Sequence, residues 1–184
     1  MHANHGYTQS DDFSSWLLYL APLCFEIAAP MSMLVSTVIK YGIWPRLLQA
    51  GGPTKTIQLK SFTNLMEHNV NVIFVFIEAG LIGNLPIYLR HLFMAPLFGM
   101  VYVLFSYVMA SRWTPGNGPQ YLYFFLDTTL GITSTKALFG LFVVLLLFYI
   151  LFWILDQIMG YSGSLWIRLG IVCSMSTIFC KFRD

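Results

Sequence analysis

Between Ala137 and Ile158 the chain runs for 22 residues with a single charge, Asp156, close to the end. The middle of that run, Val143-Val144-Leu145-Leu146-Leu147, has no polar atom outside its backbone. A stretch of about 20 apolar residues is what an α-helix needs to cross the hydrocarbon of a bilayer. The same pattern recurs. Residues 16–39 form an apolar run that holds Glu26, Pro22 and Pro30, and proline is tolerated in a membrane helix whose neighbours satisfy the freed carbonyls. Residues 65–82 and 86–110 are two more runs, joined by the turn Gly83-Asn84-Leu85-Pro86, with Pro86 predicted in the first turn of the second helix. Residues 165–180 form a fifth, short and interrupted by Arg168, which is expected to snorkel to the near interface.

Only 10% of the 184 residues are charged, against 57% hydrophobic. A soluble domain carries about 25% charged residues. The expectation is therefore an all-α, polytopic transmembrane helix bundle of about five spans forming a single domain over residues 1–184. The spans lack the strict alternation of a transmembrane β-barrel and are too long for one. With net charge +2 there is no polyanion-binding surface, so nucleic acid is not an expected partner; the expected partner is the lipid bilayer. The three cysteines, Cys24, Cys173 and Cys180, all lie in apolar runs and read as buried free thiols. Residues 1–12 contain Asp11 and Asp12 and no Lys or Arg, unlike a secretory signal peptide.

Orientation follows from the basic residues. With the N-terminus non-cytoplasmic, the inside loops and tail hold Lys40, Arg46, Lys55, Lys60, Arg112, Lys136, Lys181 and Arg183; only Arg90 and Arg168 fall outside. The positive-inside rule favours this orientation, with a cytoplasmic C-terminus. Residues 42–62 read as a polar connection broken at Gly51-Gly52-Pro53, and residues 113–135 as a loop whose aromatic middle lies at the membrane surface. Asp127 reads as a solvated or N-capping acid, and His91, beside Arg90, as an interface anchor.

The second span carries the one polar cluster inside an apolar run. At about 100° per residue, Asn64, Asn71 and Glu78 stay within about 40° of one another, and His68 lies about 40° to the other side of Asn64. Glu67 and Asn69 are expected to point toward the headgroups. Such groups are costly in hydrocarbon without partners, so the stripe faces the bundle interior or a polar cavity, with Glu26 of the first span or Arg90 as its partner. One reading is an interhelical hydrogen-bond seam. The other is a site in which His68 is a general base oriented by Asn71 or Glu78. No His/Cys pair has metal-ligand spacing and no Gly-rich phosphate loop is present, so neither a metal nor a cofactor is expected.

The positions His68-Asn69-Val70-Asn71, Glu78, Pro86, Pro96-Leu97-Phe98-Gly99, Tyr102, Leu104-Phe105, Tyr121-Leu122-Tyr123 and Asp127 resemble the rolling-stone-like membrane proteins. In that family a His-Gly-x-Asn segment opens a helix that ends in an acid. A Pro-x-x-[Phe/Tyr]-Gly-x-x-Tyr helix follows, then an aromatic Tyr-x-Tyr loop and an Asp. Trp16-Leu17-Leu18-Tyr19 and Ala28-Ala29-Pro30 are similar to the preceding family helix, so the resemblance covers roughly residues 14–160. It implies a muscle-precursor fusion type of role and, more distantly, likeness to the androgen-inducible membrane hydrolases, which cleave fatty-acid esters of hydroxy fatty acids with an intramembrane Thr and a His. That likeness places their His at His68 if Glu78 sets the register, or at Asn71 in the other alignment. Their Thr lies on an earlier helix of a family with about six spans; here Thr37 and Thr63 are candidates by residue type alone. Three functions compete. The first is a non-enzymatic membrane protein acting with other membrane components. The second is a lipid-ester hydrolase using His68 and a Thr or Ser, with a part in lipid metabolism. The third is a small transporter or channel subunit.

Overall fold

A computed structural model gives the structure of the chain and describes residues 10–83, 85–113 and 123–182. All regular structure among them is helical. The principal helices are α1 (Ser10–Thr37), α2 (Trp44–Gly51), α3 (Phe62–Leu65), α4 (Asn71–Ile77), α5 (Met94–Trp113), α6 (Ile132–Tyr161) and α7 (Leu165–Phe179). Three π-helical stretches, Val38–Ile43, Met66–Val70 and Glu78–Ile82, extend them. Joined this way, four stretches are long and apolar enough to cross a membrane: Trp16–Thr54, Phe62–Ile82, Leu89–Ala110 and Ile132–Tyr161. The fifth apolar run forms α7, whose 15 residues rise about 22 Å, less than the ~30 Å of a hydrocarbon core.

Large apolar side chains cover the outside. Val108 is 75% exposed, Leu18 74% and Trp166 82%. Apolar surface on this scale is stable only against lipid or a partner. These helices suit a bilayer, and the chain is built as a multi-pass membrane protein.

Helix α1 is the hub and packs on α4, α5, α6 and α7. The core runs along it through Ala29 and Met33 to Val72 and Phe76 of α4, Ala95 of α5 and Leu145, Tyr149 and Phe152 of α6. Phe76 stacks on Phe152 with ring centroids 5.5 Å apart. Small residues set the closest approach: a Cβ on Gly80 would stand 2.5 Å from Cγ2 of Val172 on α7.

The C-terminal ends of α1 and α7 lie together. Ser36 Oγ donates to Phe179 O (2.7 Å), Lys40 Nζ to Thr177 O and Ile178 O (both 2.6 Å), and the Tyr41 hydroxyl to Ile178 O (2.7 Å). Those carbonyls belong to the last turn of α7, where no later N–H of the helix reaches them. At the opposite end of α7, Arg168 donates to Met159 O (2.7 Å) and Ser162 O (3.0 Å), closing the C-terminus of α6.

Several boundaries differ from the sequence expectation, each for a local reason. Residues 42–51 are helical, because a π turn carries α1 into α2; Gly52, at φ +66°, stops the helix. Pro86 precedes irregular backbone, and α5 starts only at Met94. Asp127 accepts from the Thr129 N–H (2.9 Å) and caps the turn Thr128–Leu130. All three cysteines are free, but only Cys180 is buried; Cys24 and Cys173 face outward. Tyr121, Leu122, Arg183 and residues 1–9 lie outside the described residues.

Candidate functional site

The residues singled out on the second span do not converge. His68 lies in the π turn Met66–Val70, and Glu78 opens the π turn Glu78–Ile82. Ten residues of helix separate them by about 15 Å along the axis. Asn71 is exposed, and its amide donates to Glu67 O one turn back (2.9 Å). Asn64 donates to Gln58 O (2.8 Å) and Ser61 Oγ (3.0 Å), tightening the entry to α3. No hydrogen bond joins His68, Asn71 and Glu78 to one another.

Asn69, expected at the headgroups, is instead buried. Its amide donates to Lys181 O (2.8 Å), and its carbonyl oxygen accepts from Lys181 N (3.0 Å). This reciprocal pair imitates a β-bridge and ties the start of the second span to the segment after α7. The π turn accounts for the shift. Bonding i to i+5 puts more residues in each turn than an α-helix holds, so the faces drift from a 100° projection and Asn69 rotates inward.

The most completely partnered polar cluster was legible only in part. Glu26, in the middle of α1, is 1% exposed. Its Oε1 accepts from the Tyr88 N–H (2.5 Å) and its Oε2 meets His91 Nδ1 (2.5 Å). The Tyr149 hydroxyl of α6 donates to Tyr88 O (2.8 Å) and lies beside the Glu26 carboxylate. Both backbone groups of Tyr88 are therefore held by side chains, at an extended φ/ψ of −105°/120°. Non-helical backbone is tolerated at membrane depth where protein satisfies it. The second long stretch ends at Gly83, and helical turns resume at Leu89, so Tyr88 sits in the break between them. His91 is a partner of Glu26, and Glu26 serves this segment rather than the polar stripe. An acid inside an apolar run was the available signal; its partner, 65 residues away, left none.

Four buried polar side-chain atoms have no partner among the described residues: Thr37 Oγ1, His68 Nδ1, Glu78 Oε1 and Ser162 Oγ. They fall in two places. Thr37 and His68 belong to α1 and the π turn packed against it. Glu78 belongs to the π turn packed on α6 and α7, the two helices that Ser162 links. No group of three or more His, Cys, Asp or Glu among the described residues has metal-binding geometry.

Outside the polar clusters, a groove of about 640 Å³ opens between α1, α5 and α6, with the aromatic loop residues Tyr123 and Phe125 at one end. The rings of these two stack at 5.1 Å. Burial, and after it the neighbouring Tyr102 and Glu67, pushes the Tyr123 phenol up from its usual value. None of His68, Asn71 or Glu78 lines the groove.

No family model matches the chain, and no curated protein or solved structure matches it.

Proposed function

We propose that the chain is a rolling-stone-like integral membrane protein that crosses the bilayer five times and works without catalysis, through contacts with lipid and other membrane proteins. The observation that carries this reading is where the interior polar side chains are engaged. Glu26, His91, Tyr149 and Asn69 bond between segments distant in sequence and so fix the bundle. This is the seam chemistry of membrane helices. The fifth crossing is supported by α7, which leads from the capped end of α6 back to the end of α1 that carries Lys40. Lys40 and Lys181 lie at that end and Arg168 at the other, in keeping with a non-cytoplasmic N-terminus and a cytoplasmic C-terminus.

The test is turnover. The purified chain in lipid, given fatty-acid esters, is expected to release no fatty acid and to leave a serine/threonine-hydrolase probe unreacted. Hydrolysis that His68→Ala abolishes while the fold survives overturns the reading. Membrane-impermeant labelling of cysteines placed at residues 12 and 182 is expected to mark opposite faces; labelling from one face removes the fifth crossing.

A second reading, an intramembrane lipid-ester hydrolase, is favoured by the unpartnered Thr37 Oγ1 and His68 Nδ1 on adjoining elements. A hydroxyl and an imidazole nitrogen without other partners are the components of an activated nucleophile. Under this reading Thr37→Ala and His68→Ala abolish the same activity.

A further inference from the structure

The apolar groove continues toward the basic end of the bundle. Val38, Phe125 and Leu141 line both it and a second hollow of about 310 Å³. Arg46 is the charged residue on the wall of that hollow, which Gly42 and Gly140 also line. A Cβ at either glycine would meet nothing within 4 Å, so the missing side chains leave the hollow open. Neither wall includes an Asp or Glu. Lys136 directly precedes the wall residue Ala137.

The groove's helical walls belong to stretches suited to crossing a membrane. In a bilayer an apolar hollow open to the side is filled by hydrocarbon rather than by water. Hydrocarbon alone would not select a lipid; the guanidinium would. Arg offers five N–H donors in a fork that matches phosphate oxygens, so it engages a phosphate while keeping another contact. Basic pockets between membrane helices are the usual seats of anionic lipid headgroups.

We propose that these two continuous hollows form a binding site for one anionic phospholipid, with an acyl chain between α1, α5 and α6 and the phosphate at Arg46. The site needs only that the helices are embedded, so its failure leaves the interhelical bonds of the packing reading untouched.

The experiment is native mass spectrometry of the purified full chain with equimolar phosphatidylglycerol and phosphatidylcholine. One retained phosphatidylglycerol is expected, favoured about fivefold, as one basic side chain beside an anionic headgroup supplies. Arg46→Gln should bring the two lipids to parity. Gly140→Leu, which places a side chain in open space on a helix, should lower retention of both while the melting temperature is kept. Equal retention of the two lipids by the unaltered chain overturns the proposal. So does a preference unchanged by Arg46→Gln, or an adduct unaffected by Gly140→Leu, which marks lipid held around the bundle rather than in the hollows.

Discussion

Replacing Glu26 by alanine tests the polar cluster most directly. The substitution removes two hydrogen bonds, to the Tyr88 N–H and to His91 Nδ1, from a side chain 1% exposed. Two bonds at the average measured between membrane helices give about 1 kcal/mol, and two at the value for charged groups give about 3–6 kcal/mol. Full burial and the unpartnered His91 left behind put the loss near 3 kcal/mol. Glu26→Gln keeps an acceptor for the Tyr88 N–H, and its NH2 donates to His91 Nδ1 in the Nε2–H tautomer, so it should cost less than about 1.5 kcal/mol. The assay is unfolding of the purified chain in mixed micelles, followed by tryptophan fluorescence. Amide exchange at residues 85–93, expected to accelerate in the alanine variant, reports the local effect. The reasoning is refuted if Glu26→Ala costs no more than Val108→Ala, a change on a side chain 75% exposed toward the surroundings.

Gly80→Val should destabilise by about 1–3 kcal/mol through overpacking against Val172, and Val172→Ala should recover much of the loss; absence of rescue means the contact does not set the spacing of the second span and α7. Asn69→Ala leaves the Lys181 N–H and C=O without their side-chain partners, so about 1–3 kcal/mol is lost and the tail after α7 becomes more sensitive to protease; an unchanged cleavage rate rejects this. Because burial raises the Tyr123 phenol above its ordinary range, the folded chain prefers it neutral. Its contribution is complete below pH 10 and is lost as pH climbs beyond that, so Tyr123→Phe should lose less stability between pH 9 and 11 than the unaltered chain; parallel losses contradict the assignment.

What the sequence made legible was set by physics that acts locally. Apolar run length is a local property, so the four long helices could be read directly, as could the shortness of α7. Capping is equally local, and Asp127 caps a turn. The polar stripe was harder, because a fixed angle per residue assumes an uninterrupted α-helix. The π turns at Met66–Val70 and Glu78–Ile82 break that assumption, turning Asn69 in and leaving Asn71 out. The Glu26–His91 pair was hidden for another reason: its two residues are 65 apart, and no periodicity connects them. Nor could sequence show that side chains of Glu26 and Tyr149 would hold the backbone at Tyr88.

The bonds between α1 and α7 also impose an order in time. Ser36, Lys40 and Tyr41 are synthesised about 140 residues before the carbonyls that receive them. While the ribosome makes the intervening helices, the end of α1 waits without its partners, and the later helix completes the earlier one. A nascent chain stopped before residue 165 therefore leaves Ser36, Lys40 and Tyr41 without the carbonyls of α7 that they bond in the folded chain.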